Sequence, residues 1–237
     1  MTDAQDLGPI DSRTWPTELI AQASSVAPER RLFGYDVEQD LAAFYRFSDV
    51  LFLSLVGELP DEARSRAFEI ALCFAAPASV AEAAVHAAVL ARLCGARPSG
   101  VLSVASVVLA EQASLLLASL NEELEAFDRS EARELPPPLR AGGDEDRASV
   151  ATLTRLLAGA LDVPALRADP SRDVAIVAVF RACGVTSAFQ LASLLAFARV
   201  PSALAEASRI NPGDFDTYPI DTPHFEYVSP TASEPLR

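Results

Sequence analysis

The sequence predicts an all-α fold, and three observations lead to that prediction. Half of the 237 residues are hydrophobic, mostly alanine, leucine and valine, and the first two are strong helix formers. Aromatic residues make up only 7% of the chain, and no segment shows the alternation of apolar and polar residues that is typical of strands. Capping boxes are also present at Ser79–Glu82 and Ser187–Gln190, each at the start of an apolar segment.

The predicted helices follow from caps, breaks and apolar periodicity. Ser48 and Asp61 are suitable N-caps, Gly57 and Gly95 are suitable C-terminal stops, and Pro201 fits the first turn of a last helix. In chain order, the predicted helices cover residues 37–45, 48–56, 61–74, 79–94, 98–127, 150–161, 172–183, 187–198 and 201–208.

A segment rich in charge, proline and glycine divides the chain at residues 129–148. Its run of three prolines excludes the interior of a helix. Residues 1–31 are predicted to be extended or irregular because prolines interrupt them, and the tail from Ile210 is proline-rich and acidic. We therefore predict three parts: residues 1–128, a linker with a small unit at 129–170, and residues 171–237 with an extended tail.

Two predicted helices are apolar almost all the way round, at residues 84–94 and 100–120. Such a helix has to be buried on all sides, so we expect a second subunit to cover part of their surface. Glu111 and Gln112 interrupt the most apolar stretch, residues 101–120, which favours a buried helix over a membrane span.

Composition excludes several classes of function. The formal net charge of −14 argues against nucleic-acid partners and against anionic membrane surfaces, since both need a basic footprint. Cys73, Cys94 and Cys183 fit no metal motif and no disulfide framework, so we expect buried free thiols in a reducing compartment. The polar start of the chain has no signal-peptide pattern, which predicts a cytoplasmic protein.

Several segments resemble, in the correct order, the citrate synthase and citryl-CoA lyase family. The resemblance begins around Trp15-Pro-Thr17 and is carried mainly by residues 34–41 (GYDVEQDL), 47–60 (FSDVLFLSLVGELP), 85–100 (VHAAVLARLCGARPSG), 172–184 (RDVAIVAVFRACG) and 194–201 (LLAFARVP). It implies a citrate-synthase-like large domain with a strongly reduced small domain. It also implies chemistry at a carbon–carbon bond next to a CoA thioester, with that thioester as a possible substrate and no other cofactor.

The same resemblance implies roles for two residues. Asp173 matches the family's proton-abstracting aspartate, and Arg199 matches an arginine that binds a substrate carboxylate. Each has a structural alternative. Asp173 could instead cap a helix, and Arg199 could form a salt bridge or complement the C-terminus of a helix.

The chain departs from the family pattern where the chemistry would take place. The active-site turn Gly-Xaa-His-Gly-Gly is replaced at residues 109–117 by LAEQASLLL, and no second histidine segment exists between residues 115 and 170. An Arg-Pro pair near the C-terminus is replaced by Thr222-Pro223. The principal acid–base histidines of the family are therefore missing.

The remaining candidates have simpler interpretations. His86 lies in an apolar helix and is predicted to be a core histidine, and His224 lies in the tail, so the two form no metal site. Ser114 has no obvious base as a partner.

Three functional hypotheses follow. The first is a non-catalytic structural or regulatory subunit that dimerises with itself or with a catalytic citrate synthase homologue. The second is an active enzyme that uses Asp173 and Arg199 on an acyl-CoA and a 2-oxo acid, as an acyltransferase or a citryl-CoA lyase. The third is a binding module for small molecules that acts through Arg199.

Overall fold

A computed structural model describes residues 21–26, 28–129 and 135–214 of the chain. The fold is all-α apart from one small sheet, as the sequence predicted. The helices of the described part are α1 (Ala42–Phe44), α2 (Phe47–Val56), α3 (Glu62–Ala75), α4 (Ala83–Leu93), α5 (Pro98–Arg129), α6 (Asp144–Leu157), α7 (Arg172–Ala182) and α8 (Ala188–Ser208). A π-helical turn covers Val37–Leu41, and 3₁₀ turns cover Pro137–Leu139 and Pro164–Arg167.

The helices pack in two groups that share α5 and α8. One group is formed by α4, α5 and α8, which pack closely on one another. The other is the main core, in which α2, α3, α6 and α7 meet the inner faces of α5 and α8. Three fully buried aromatic rings lie at its centre: Phe68 contacts Phe52 at 5.2 Å and Phe180 at 5.6 Å between ring centroids, both edge to face.

The segment predicted as linker and small unit contributes to this same core. In α6, Val150, Leu153 and Leu157 are buried in the main core cluster. That helix begins at Asp144 rather than at residue 150, because three acidic residues favour its first turn. The division of the chain into domains stays a prediction.

The structure also contains a three-stranded antiparallel sheet that the sequence did not predict. It consists of β1 (Ser24–Ser25), β2 (Arg31–Leu32) and β3 (Tyr35–Asp36), in the order β1-β2-β3. Phe33 and Gly34 connect β2 to β3 with φ angles of 48° and 86°. Positive φ at both positions is the geometry of a two-residue hairpin turn, so Gly34 is the sequence signal for it.

The prediction of two helices around Pro201 is wrong. One helix, α8, runs through Pro201 from Ala188 to Ser208. A proline inside a helix removes one backbone hydrogen bond, but α8 packs along both α4 and α5 and Ser202 Oγ donates to the carbonyl of Ala76 at 2.7 Å. Tertiary packing therefore outweighs the local signal.

Two helices also begin at residues other than those predicted from their N-caps. The helix predicted from Ser79 begins at Ala83, although Glu82 Oε1 accepts from the amide of Ser79 at 2.8 Å as a capping box requires. The helix predicted from a Ser48 cap begins at Phe47, where Asp49 accepts from the amide of Arg46. Asp61 does cap α3, and Gly57 ends α2 with a φ of 86°.

The prediction of buried thiols holds for one cysteine of the three. Cys73 and Cys94 are exposed, and Cys183 is fully buried beneath α3. Burial raises the pKa of the Cys183 thiol from 9.0 to about 12, because a thiolate is poorly solvated in the core.

Stability should therefore fall in alkaline solution. Between pH 9 and about 12 the folded chain keeps the proton of Cys183 and the unfolded chain loses it, so the free energy of unfolding should fall by about 1.4 kcal/mol per pH unit. The stability from this group is fully present below pH 9 and is lost as the pH rises. Urea unfolding at several pH values, compared with Cys183→Ala, measures the effect, and equal pH slopes for both chains would contradict it.

Candidate functional site

A cavity of about 160 Å³ lies between α3, α5, α7 and α8. Both residues that the family resemblance singled out, Asp173 and Arg199, line it. The full lining consists of Ala75, Leu109, Gln112, Ala113, Leu116, Arg172, Asp173, Ile176, Leu195 and Arg199. Four polar or charged side chains thus converge on an otherwise apolar cavity, which is the composition of a ligand site.

Asp173 lies in the first turn of α7, where its side chain faces the cavity. The N-cap of α7 is Ser171, whose Oγ accepts from the amide of Val174, so the interpretation of Asp173 as the cap is wrong. Within the described part of the chain, the carboxylate of Asp173 forms no hydrogen bond or ion pair. Its negative charge is favourable at the N-terminus of a helix, and its acceptor oxygens are available to a ligand.

Arg199 lies in the middle of α8 and pairs with Glu82. Arg199 NH1 is 3.3 Å from Glu82 Oε2, and both side chains are partly buried. Glu82 is held in place because its other oxygen accepts from the amide of Ser79. The salt-bridge alternative for Arg199 is therefore present, and the ion pair offsets its charge within the site.

Two further lining residues were not identified from the sequence. Arg172 precedes Asp173 and anchors its guanidinium on the carbonyl of Phe74 at the end of α3. Gln112 lies on α5, and its Oε1 atom is buried without a hydrogen-bond partner among the described residues. Only the packing of α5 against α7 and α8 brings Gln112 to the cavity, so no local pattern could have identified it.

The helix α5 runs without a break through the segment where the resembling family has its active-site turn. Residues 109–117 lie inside the 32-residue helix Pro98–Arg129. Amides inside a helix donate to carbonyls four residues earlier. The backbone of this segment therefore offers no free donors to the cavity, and an oxyanion site of backbone amides cannot form there.

No histidine of the described part lines the cavity. His86 is exposed on α4, so its prediction as a core residue is wrong. His224 lies outside the described residues. Ser114 Oγ donates to the carbonyl of Ala110 in its own helix, and no group of three or more metal-ligating side chains occurs among the described residues.

The outer surfaces of α5 and α8 are strongly apolar. Val107, Leu115 and Phe189 have exposed fractions of 70%, 63% and 79%. A groove of about 350 Å³ runs between the two helices and is lined mainly by small residues: Ala110, Ser114, Leu117, Ala118, Ala188, Phe189, Ala192 and Ser193. We call the three exposed residues and this groove the α5–α8 face.

Two helices of the described part are long and apolar enough to cross a bilayer by composition alone. They are Pro98–Leu120 and Ala188–Ser208. In the most apolar stretch of the first segment 28% is buried, and in that of the second 33% is buried. Part of α5 is therefore exposed within a single chain, and the expectation that a second subunit covers that part stays a prediction. Each segment also carries a charge near its middle, Glu111 in α5 and Arg199 in α8, which is costly in lipid.

Comparison with solved structures shows the fold. The chain is similar to citryl-CoA lyase from Hydrogenobacter thermophilus, with a TM-score of 0.57 and 19% sequence identity over 95% of this chain and 97% of that chain. The sequence matches no protein-family model and no curated protein. The citrate-synthase-like fold that the sequence motifs implied is thus confirmed.

The two aligned chains are of nearly equal length, because the alignment covers almost all of both.

Proposed function

We propose that this chain is a non-catalytic subunit with a citrate-synthase-like fold, which assembles through the α5–α8 face with a second copy of itself. The observation that supports the lack of catalysis is the unbroken helix α5 at residues 109–117. In the resembling family this segment is a histidine-bearing turn. Here the only polar side chain that α5 contributes to the described lining of the cavity is the uncharged Gln112.

The cavity lacks the groups that would make Asp173 an effective base. Proton abstraction next to a thioester is effective when an acid delivers a proton to the developing enolate. The cationic groups among the described lining residues are Arg172 and Arg199, whose guanidinium groups donate hydrogen bonds but do not give up a proton, so neither is such an acid. A carboxylate alone gives little rate acceleration.

The apolar character of the α5–α8 face supports assembly. Burial of apolar surface contributes about 25 cal/mol per Å², so Val107, Leu115 and Phe189 would each favour association. The small residues along the groove allow another helix to approach closely. Glu111 is the one ionisable side chain between residues 98 and 120. Cytoplasmic location and the absence of nucleic-acid or membrane partners stay predictions from composition.

Light scattering and an activity assay test the two halves of the proposal separately. We expect the purified chain to have the mass of a dimer and to show no cleavage of citryl-CoA and no synthesis from acetyl-CoA and oxaloacetate. Co-expression with a catalytic citrate synthase homologue shows whether that partner replaces the second copy. Turnover above background would overturn the non-catalytic half. A monomer, or a chain recovered only with the membrane fraction, would overturn the assembly half.

A second candidate is an active enzyme for carbon–carbon bond cleavage or formation at a CoA thioester. It is favoured by the free carboxylate of Asp173 in a cavity with two arginines, in a chain as long as the lyase it resembles in fold. If the chain is active, Asp173→Asn should lower kcat by about 10²–10⁴ and leave the fold intact. Glu145→Gln, which removes an exposed carboxylate from the first turn of α6, is the matched control. Unchanged kcat in Asp173→Asn would remove this candidate.

A further inference from the structure

The charges at the cavity sum to zero. Arg172 and Arg199 contribute two positive charges, and Asp173 and Glu82, the partner of Arg199, contribute two negative ones. A bound dicarboxylate would bring uncompensated negative charge into a partly buried site, which is unfavourable. A ligand with one positive and one negative group keeps the balance.

The cavity also offers two acceptors that have no donor. The carboxylate of Asp173 and the Oε1 atom of Gln112 are both without a hydrogen-bond partner in the described part of the chain. The Oε1 atom of Gln112 is buried, and a buried acceptor is costly until it is satisfied. An oxo acid has no donor to give to either atom in its ionised form, and an ammonium group has three.

The two arginines provide the complementary half of the site. Arg172 uses one nitrogen on the carbonyl of Phe74, and Arg199 uses one on Glu82. Each guanidinium carries five N–H donors in a planar fork, so donors remain on both for a carboxylate.

The rest of the lining sets the size and polarity of the ligand. Leu109, Leu116, Ile176 and Leu195 make most of the remaining wall apolar. The volume of about 160 Å³ is close to that of an apolar cavity of ~150 Å³ that holds a benzene molecule. A small aliphatic side chain fits this space.

We propose that this cavity binds a small aliphatic α-amino acid as its zwitterion. Its carboxylate pairs with Arg172 and Arg199, and its ammonium group donates to Asp173 and to Oε1 of Gln112. The site goes beyond the non-catalytic, self-assembling role above and does not depend on it, because binding and turnover are measured independently.

Titration calorimetry on the full chain tests the ligand class with a matched set. L-valine carries both charged groups, 3-methylbutanoate lacks the ammonium, 2-methylpropan-1-amine lacks the carboxylate, and oxaloacetate is a dicarboxylate without a donor. We expect L-valine to bind at least about tenfold more tightly than each of the other three, since each lacks one charged hydrogen-bonding partner. Equal or tighter binding of 3-methylbutanoate or oxaloacetate would overturn the proposal, as would no binding of alanine, valine or isoleucine.

Variants test the assigned acceptors. Gln112→Met keeps the side-chain volume and removes the acceptor, so it should weaken L-valine binding about tenfold and leave 3-methylbutanoate binding unchanged. Asp173→Asn should weaken L-valine binding by about a hundredfold, because it removes the charge that faces the ammonium group. Glu145→Gln, on the exposed first turn of α6, should have no effect, and thermal melting checks that all variants are folded. The assignment would be contradicted if Gln112→Met lost the same affinity for L-valine and for 3-methylbutanoate. It would also be contradicted if either variant bound L-valine as tightly as the unchanged chain.

Discussion

Replacing Val107 by aspartate should leave the chain monomeric. Val107 is 70% exposed on α5 beside the groove of the α5–α8 face, where the proposed second copy would bury it. A symmetric interface contains the residue twice, so two uncompensated carboxylates would be buried, at a cost of several kcal/mol each. We expect the dissociation constant to rise by at least about a thousandfold, measured as the concentration dependence of mass in light scattering or sedimentation.

Val26→Asp is the matched control for this experiment. Val26 is also exposed but lies next to the N-terminal sheet, outside α5 and α8. The same charge at Val26 should leave the mass unchanged. A Val107→Asp chain with the mass and thermal midpoint of the unchanged protein would show that the α5–α8 face is not the contact surface.

We expect Phe68→Ala to lower the free energy of unfolding by about 3–5 kcal/mol. Phe68 is fully buried and lies between the rings of Phe52 and Phe180, so the substitution opens a cavity and removes two edge-to-face contacts. Because domains of this kind are stable by only about 5–15 kcal/mol, the loss is a large fraction of the total. Urea unfolding at one fixed protein concentration measures it.

The same substitution at an exposed phenylalanine is the control, because it removes the same side-chain atoms without opening a cavity in the core. Phe44→Ala, on the exposed helix α1, should change stability by no more than about 0.5 kcal/mol. A Phe68→Ala loss no larger than that of Phe44→Ala would contradict the placement of the three rings at the centre of the core.

The sequence predicted those helices whose ends carry strong local signals. The ends of α2, α3 and α7 lie within one residue of the predicted ones, because Gly57, Asp61 and the Pro170-Ser171 pair leave few alternatives. Local signals failed where tertiary packing decided the outcome. The length of α8 depends on neighbours that no local pattern reports, and Pro201 alone favours a break.

The site could be predicted only in part for a similar reason. Asp173 and Arg199 were identified because their sequence segments resemble a known family, and the structure brings both to one cavity. Their proposed roles stay predictions. Gln112 and Arg172 could not be identified, since their contribution depends on how three helices cross. Glu82, which offsets Arg199, is more than a hundred residues away from it in the chain.

One rigid element, α5, connects the cavity with the α5–α8 face. Gln112 lines the cavity, and Val107 and Leu115 belong to the outer face, all within about 12 Å along one helix. Any coupling between a ligand and a partner at these two surfaces must be reciprocal: the factor by which the ligand tightens assembly equals the factor by which assembly tightens the ligand. The distribution between monomer and dimer at a fixed protein concentration would then report how much of the small molecule is present.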